Sequence, residues 1–239
     1  MYVLVDSNGE NVISSQYMTP TFADIDADGD LDFFTGNMVG TLTHYENIGL
    51  SNEMLEWGFV TDSWQDIYIV GTAREVDRHG ASAITFIDLD GDGDLDLSWG
   101  DYFQQSLYII WNSGTVETPI MVEVTNQYPD SNPIISAGQN MPTFADLDGD
   151  GDEDLFISVL SGAYGNQLVN NLFYYQNIGS NSEPIFNYET NNLISTLDLF
   201  SNSSPELIDI DGDGDLDLFI ANQYDLSESP WVGGIYFFR

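Results

Sequence analysis

Apolar residues along the chain fall in short runs broken by Asp, Asn and Gly, and no segment keeps a helical period over ten or more residues. The clearest runs are LTHYENIG after Gly40, LYIIWNSG from Leu107, LFYYQNIG from Leu172 and IYFFR at the C-terminus. They are rich in aromatic and β-branched side chains, and the first three end in an Asn-containing turn, which reads as strand then turn. Other short extended runs flank acidic segments: YMTPTFAD, GASAITFID, QNMPTFAD and SNSSPELID before them, LDFFTG, LDLSWG, EDLFIS and LDLFIA after them. The pattern predicts an all-β chain of short strands.

The acidic segments are a repeat. FADIDADGDLDFFTGN (Phe22 to Asn37), FIDLDGDGDLDLSWGD (Phe86 to Asp101), FADLDGDGDEDLFISV (Phe144 to Val159) and LIDIDGDGDLDLFIAN (Leu207 to Asn222) align without gaps. Their first aspartates are spaced by 64, 58 and 63 residues. With the aromatic run that follows, each unit supplies about four strands, and four-stranded units repeated radially make a β-propeller. The expected fold is therefore a four-bladed propeller of antiparallel sheets forming one domain over residues 1–239, with acidic loops at 24–32, 88–96, 146–154 and 209–217.

The ends of the chain fit a circle. Arg239 aligns with Glu46, Trp111 and Gln176, just before the turn, and MYVLVDSNGENVIS resembles the segment PIFNYETNNLIS after the turn of unit three. The expectation is that Met1 to Val5 pairs with Ile235 to Arg239 and leaves no sheet edge open. The alternative is a piece of a longer array cut inside a turn.

Five aspartates in nine residues, at positions 1, 3, 5, 7 and 9, repel one another unless a cation neutralises them. Calcium takes six to eight oxygens in a flexible cage, and a tight loop with alternate residues turned inward presents them. Gly29, Gly93, Gly151 and Gly214 at position 6 permit the sharp turn. The expected ligands in unit one are the carboxylates of Asp24, Asp26, Asp28 and Asp32 with the backbone carbonyl of Asp30. Unit two repeats this with Asp88, Asp90, Asp92, Asp96 and Asp94; unit three with Asp146, Asp148, Asp150, Asp154 and Asp152; unit four with Asp209, Asp211, Asp213, Asp217 and Asp215. Four Ca²⁺ ions are thus expected. Position 12 holds Thr35, Trp99, Ile157 and Ile220, so the bidentate Glu and following helix of an EF-hand are missing. Nonapeptides recurring every 60 residues or so also differ from a tandem β-helix repeat. Acidic surface turns without metal are the competing reading, and four copies of D-x-D-x-D-G-D-x-D at one spacing count against it.

These units resemble FG-GAP or VCBS repeats, the calcium-binding blades of integrin-α-like propellers, over nearly the whole chain. The resemblance rests on the acidic nonapeptides with their Phe-Ala-Asp and Leu-Asp-Leu-Phe flanks, and His79-Gly80-Ala81-Ser82 is similar to the family's small-residue entry. It implies a Ca²⁺ between the first two strands of each blade, on the face opposite the usual ligand-binding face. Two departures are plain: such propellers commonly have seven blades, and Ala27 replaces the position-4 glycine of unit one.

Composition narrows the function. The 239 residues carry 40 acidic and three basic side chains, a formal net charge of −37, while 42% hydrophobic and 13% aromatic content is enough for a core. A polyanion repels nucleic acid and anionic membrane surfaces, and no apolar run approaches the roughly 20 residues of a bilayer span. The nonapeptides hold 21 of the acids, counting Glu153, and four Ca²⁺ would bring the net charge to about −29. Near-neutral acid–base chemistry is limited to His44 and His79, with no cysteine, no lysine and no nucleophile elbow. His44 reads as a packed strand residue, and Arg74, Arg78 and His79 as a cluster paired with nearby acids rather than an anion grip. Trp57, Trp64, Tyr102, Trp111 and Trp231 could stack on sugars but read mainly as core, and Asn202 heads one glycosylation sequon. The expected protein is extracellular, secreted or surface-displayed, and not an enzyme. Its expected role is binding or adhesion to a protein or glycan; the alternative is a fibre or matrix subunit partnered with its own copies.

Overall fold

The computed structural model describes residues 6–12, 18–51, 54–69, 82–159, 161–167, 169–193, 204–214, 216–222 and 233–238. Four antiparallel sheets stand in a ring as the blades of a β-propeller. Blade one is β1 (Thr21–Ala23), β2 (Asp32–Gly36), β3 (Leu42–Ser51) and β4 (Met54–Thr61). Blade two is β5 (Ser82–Ile87), β6 (Asp96–Asp101), β7 (Leu107–Asn112) and β8 (Met121–Thr125). Blade three is β9 (Met141–Ala145), β10 (Asp154–Ser158), β13 (Leu172–Asn177) and β14 (Phe186–Thr190), with a small hairpin β11 (Ser161–Gly162) and β12 (Gly165–Asn166) between its second and third strands. Blade four shows β15 (Ser204–Ile208), β16 (Asp217–Ala221) and β17 (Ile235–Phe238). The expected partner of β17, Met1 to Val5, lies outside the described residues, as do Arg74, Arg78, His79, Asn202, Trp231 and Asp215. The one short helix among the described residues is a single 3₁₀ turn at Trp64–Asp66.

The second strands of the first three blades are the most deeply buried. β2, β6 and β10 are buried at every position; β6 lies between cores shared with blades one and three, whereas one face of β2 is covered by Tyr45 and Trp57 of its own blade. One core joins blades one and two through Phe34, Leu42, Ile84, Leu97, Trp99 and Ile110. There the Phe34 and Phe86 rings lie 4.7 Å apart. A second core joins blades two and three through Leu107, Ile109, Leu155, Ile157 and Phe173. The innermost strands are stitched by side chains: Thr85 Oγ1 donates to the Pro142 carbonyl at 3.0 Å, and Thr143 Oγ1, at the matching position, to Pro205 at 3.3 Å. At Gly100 the next blade comes so close that a Cβ would meet the Asn140 carbonyl oxygen. Trp57 and Trp64 are buried as core residues.

Candidate metal centres

Each acidic nonapeptide connects the first strand of a blade to the second, which puts all four loops on one end of the propeller. Within a loop the chain curls round the first aspartate. In unit three Gly149 and Gly151 donate their N–H groups to the two Asp146 oxygens, at 2.8 and 3.0 Å. Asp88 and Asp209 are held in the same way. The curl needs positive φ at positions 4 and 6: Gly91, Gly149 and Gly212 have φ of 71°, 76° and 74°, and Ala27 is driven to 57° in unit one. Here a Cβ is strained by the backbone itself.

The curl gathers carboxylates. Oxygens of Asp24, Asp26 and Asp28 lie within 4.8 Å of one another, as do those of Asp88, Asp90 and Asp92, of Asp146, Asp148 and Asp150, and of Asp209, Asp211 and Asp217. Asp24 Oδ1, Asp30 Oδ1, Asp94 Oδ1 and Asp152 Oδ1 are buried without a hydrogen-bond partner. Buried oxygens are expected to be paired, and orphaned carboxylate oxygens beside other carboxylates suit a hard cation with oxygen ligands. The donor set and its burial therefore fit Ca²⁺. The orphaned oxygens also point to the position-7 side chain as a donor, beside the backbone carbonyl expected there.

The ninth aspartate does more than the sequence suggested. Asp96 Oδ1 accepts the Asn112 N–H at 2.8 Å and its Oδ2 the Leu89 N–H at 3.1 Å. Asp154 does the same with Asn177 and Leu147, at 2.8 and 3.2 Å. Asp32 Oδ1 takes the Asn47 N–H at 2.9 Å, while the His44 ring fills its other side at 2.9 Å. Asp217 Oδ2 accepts from Ile210 at 3.3 Å. In blades two and three this carboxylate is thus a strut between the loop and the hairpin turn of the third strand. Those turn asparagines are the functional neighbours that the sequence reading passed over. Asn47, Asn112 and Asn177 each cap their own turn through Oδ1, at 3.0 Å from the N–H of Gly49, Gly114 and Gly179. Their signal was present as an Asn at one place in three aromatic runs.

The side chains that brace the loops differ between blades. Tyr174 OH donates to Asp154 Oδ2 at 3.1 Å in blade three, where His44 stands in blade one. Gln176 Nε2 donates to Asp148, and Asn181 Nδ2 to the Gly151 carbonyl. His44 is buried, stacked on Phe34 with ring centroids 4.4 Å apart, and placed 3.8 Å from Glu46. It packs as expected and is committed to Asp32.

Burial, with charge crowding added to it, raises several carboxyls of the loops. Burial, then the charges of Asp92 and Asp90, push the Asp94 carboxyl up to about 6. Burial pushes Asp96 up to about 7 although two N–H donors pull it down. Burial followed by neighbouring aspartates also raises Asp30 and Asp152. An unfolded Asp titrates near 3.9, so the metal-free fold binds more protons than the unfolded chain from about pH 4 to about pH 7 and loses stability as pH rises through that window. In EGTA the urea midpoint should therefore fall as pH is raised from about 5 to about 7.5. In calcium the trend should reverse, because the ligands must be deprotonated to bind. A midpoint flat with pH in EGTA would refute the raised carboxyls.

At the opposite end of the ring, Tyr102 and Phe103 form an edge-to-face pair with centroids 5.0 Å apart. Tyr164, from the β11–β12 hairpin, is exposed and donates from its hydroxyl to the Phe103 carbonyl at 3.2 Å. Backbone bonds from Ala163 to Tyr102 and from Tyr164 to Ala137 tie blades two and three together beneath it.

The FG-GAP-like repeat model matches residues 88–157 and 146–220. Among solved structures, the chain is similar to an Agrocybe aegerita lectin described for specific recognition of non-reducing terminal N-acetylglucosamine, at 17% identity and a TM-score of 0.44. The alignment covers 92% of this chain and 51% of the lectin, so the chain spans about half that protein's length. No curated protein sequence matches it. Among the described residues, no helix is long and apolar enough to cross a membrane.

Proposed function

Since the chain belongs to the FG-GAP-like repeat family, we propose that it is an extracellular propeller held together by four Ca²⁺ ions and acting as a non-enzymatic binding module. The observation that carries this reading is the buried, unpartnered Oδ1 atom of Asp24, Asp30, Asp94 and Asp152, in three of the four loops whose first aspartates cluster. Bound calcium neutralises those clusters and ties each inner strand to the hairpin of its own blade. The loops are scaffold and leave the other end of the ring for a ligand.

On that end the Tyr102, Phe103 and Tyr164 group is the proposed contact surface. Aromatic rings on a braced backbone suit a sugar face or an apolar protein side chain. A net charge of −37 restricts the ligand to neutral or basic chemistry. Catalysis has little support, because His44 is buried against Asp32 and the crowded aspartates belong to the loops proposed to hold metal.

Calorimetric titration of the metal-free chain should give four Ca²⁺ per molecule, and a glycan and extracellular-protein array should give calcium-dependent hits. Tyr164→Ala should weaken those hits tenfold or more, a loss of about 1.4 kcal/mol, while leaving the melting temperature in place. A stoichiometry of zero would remove the metal reading, and hits indifferent to Tyr164→Ala would remove the contact surface.

A further inference from the structure

The acidic loops share a curl but not their surroundings. Gly91, Gly149 and Gly212 occupy the same position, with φ of 71°, 76° and 74°. A Cβ on Gly149 or Gly212 would meet nothing within 4 Å, whereas one on Gly91 would run into the backbone of Ser182. Ser182 belongs to the next blade. It sits in the turn between β13 and β14, which the paired backbone bonds of Ser180 and Glu183 close. The hairpin turn of blade three therefore rests on the acidic loop of blade two.

The same turn is fastened to the loop of its own blade. Asn181 Nδ2 donates to the Gly151 carbonyl at 2.9 Å, and Asn181 Oδ1 accepts the Glu153 N–H at 3.2 Å. Each end of this bridge reaches a glycine that holds a first aspartate: Gly151 donates to Asp146 Oδ2 at 3.0 Å, and Gly91 to Asp88 Oδ1 at 2.7 Å. Blade two lacks the fastening. Val116 stands four residues after Asn112, where Asn181 stands four after Asn177, and its side chain has no donor or acceptor.

We propose that the Asn181–Ser182 turn positions two metal loops at once and couples them, so that the calcium ions of loops two and three bind cooperatively. This rests on the calcium reading given above. Filling loop three fixes Gly151 and Glu153, hence Asn181, and sets Ser182 against Gly91 before the second ion arrives. The second ion then has less chain to order, which strengthens its binding. Linkage makes the effect mutual, by the same factor in each direction. The first ion also weakens the negative field that attracts the second, an opposing effect that salt screens. Coupling changes the order of filling and not the number of sites.

The test is a titration of the 239-residue chain with chelator-buffered calcium at about 0.15 M salt, followed by NMR at the amides of Gly29, Gly93, Gly151 and Gly214. Each donates to the first aspartate of its own loop, so each reports one site. Gly93 and Gly151 should titrate together and more steeply than the other two. Asp90→Ala, which removes a ligand from loop two, should raise the calcium midpoint at Gly151 about fivefold or more. Asp148→Ala should raise the midpoint at Gly93 by the same factor, and neither should move Gly29 or Gly214. In an Asn181→Ala background these cross effects should vanish. Gly91→Ala leaves blade three untouched and displaces the turn from the other side, so it should move both Gly93 and Gly151. Gly212→Ala brings the same backbone strain without a neighbour and should move Gly214 alone. Four calcium-dependent amides with no cross effect of Asp90→Ala on Gly151 would overturn the coupling and leave the metal reading intact. Amides indifferent to calcium would remove that reading and the coupling with it.

Discussion

Chelating calcium with EGTA should lower the melting temperature by roughly 20–40 °C. A site held at 100 times its dissociation constant adds about 2.7 kcal/mol, so four independent sites add on the order of 10 kcal/mol, comparable to the whole stability of a domain. In a chain of this size each kcal/mol moves the midpoint by about 2–4 °C. The physical source is the crowding itself: Asp88, Asp90 and Asp92 bring oxygens within 4.8 Å of one another, and Asp94 adds an orphaned buried oxygen. Scanning calorimetry with and without EGTA measures the shift. Restoring calcium should recover it, and magnesium should do so poorly, because its short octahedral bonds fit a flexible all-protein cage badly. A midpoint indifferent to EGTA would sink the metal assignment.

The second large effect separates strut from ligand. Asp96→Ala should destabilise the protein by about 2–6 kcal/mol even in EGTA, because it orphans the buried N–H groups of Leu89 and Asn112. Asp92→Ala provides the contrast. Asp92 is exposed, so in EGTA its loss should move stability by no more than about 0.5 kcal/mol, relief of repulsion offsetting the bond it accepts from Asp94. In calcium the same substitution should weaken one site and lower the melting temperature. Urea titrations of both variants in both buffers decide the matter. An Asp96→Ala variant as stable as the parent in EGTA would mean that the ninth aspartate serves the metal alone.

Much of this is legible in the sequence. Four nonapeptides of one D-x-D-x-D-G-D-x-D pattern, at spacings of 64, 58 and 63 residues, point to the blade count, because a repeated unit forms a repeated sheet. The loops were legible because glycine at position 6 and alternating aspartates leave the backbone few options, and φ near 95–99° at Gly29, Gly93, Gly151 and Gly214 agrees with that reading. His44 read as packed for a sound reason, since it sits among strand residues. Its partner Asp32 could not be read, because 12 residues of chain separate them and only the register of β2 on β3 brings them together.

The sequence by itself determined the periodic properties: strand length, loop chemistry, blade number and the concentration of negative charge on one end of the ring. These follow from local spacing, which every unit carries within itself. Only the tertiary structure decided how the units meet. It made the ninth aspartate a strut to the Asn112 and Asn177 turns, placed Tyr102, Phe103 and Tyr164 on one platform, and buried Leu107 while leaving its counterpart Ile235 exposed. Equivalent residues in a repeat share a local conformation, but burial depends on what the neighbouring blade presents, and that is a property of the whole ring.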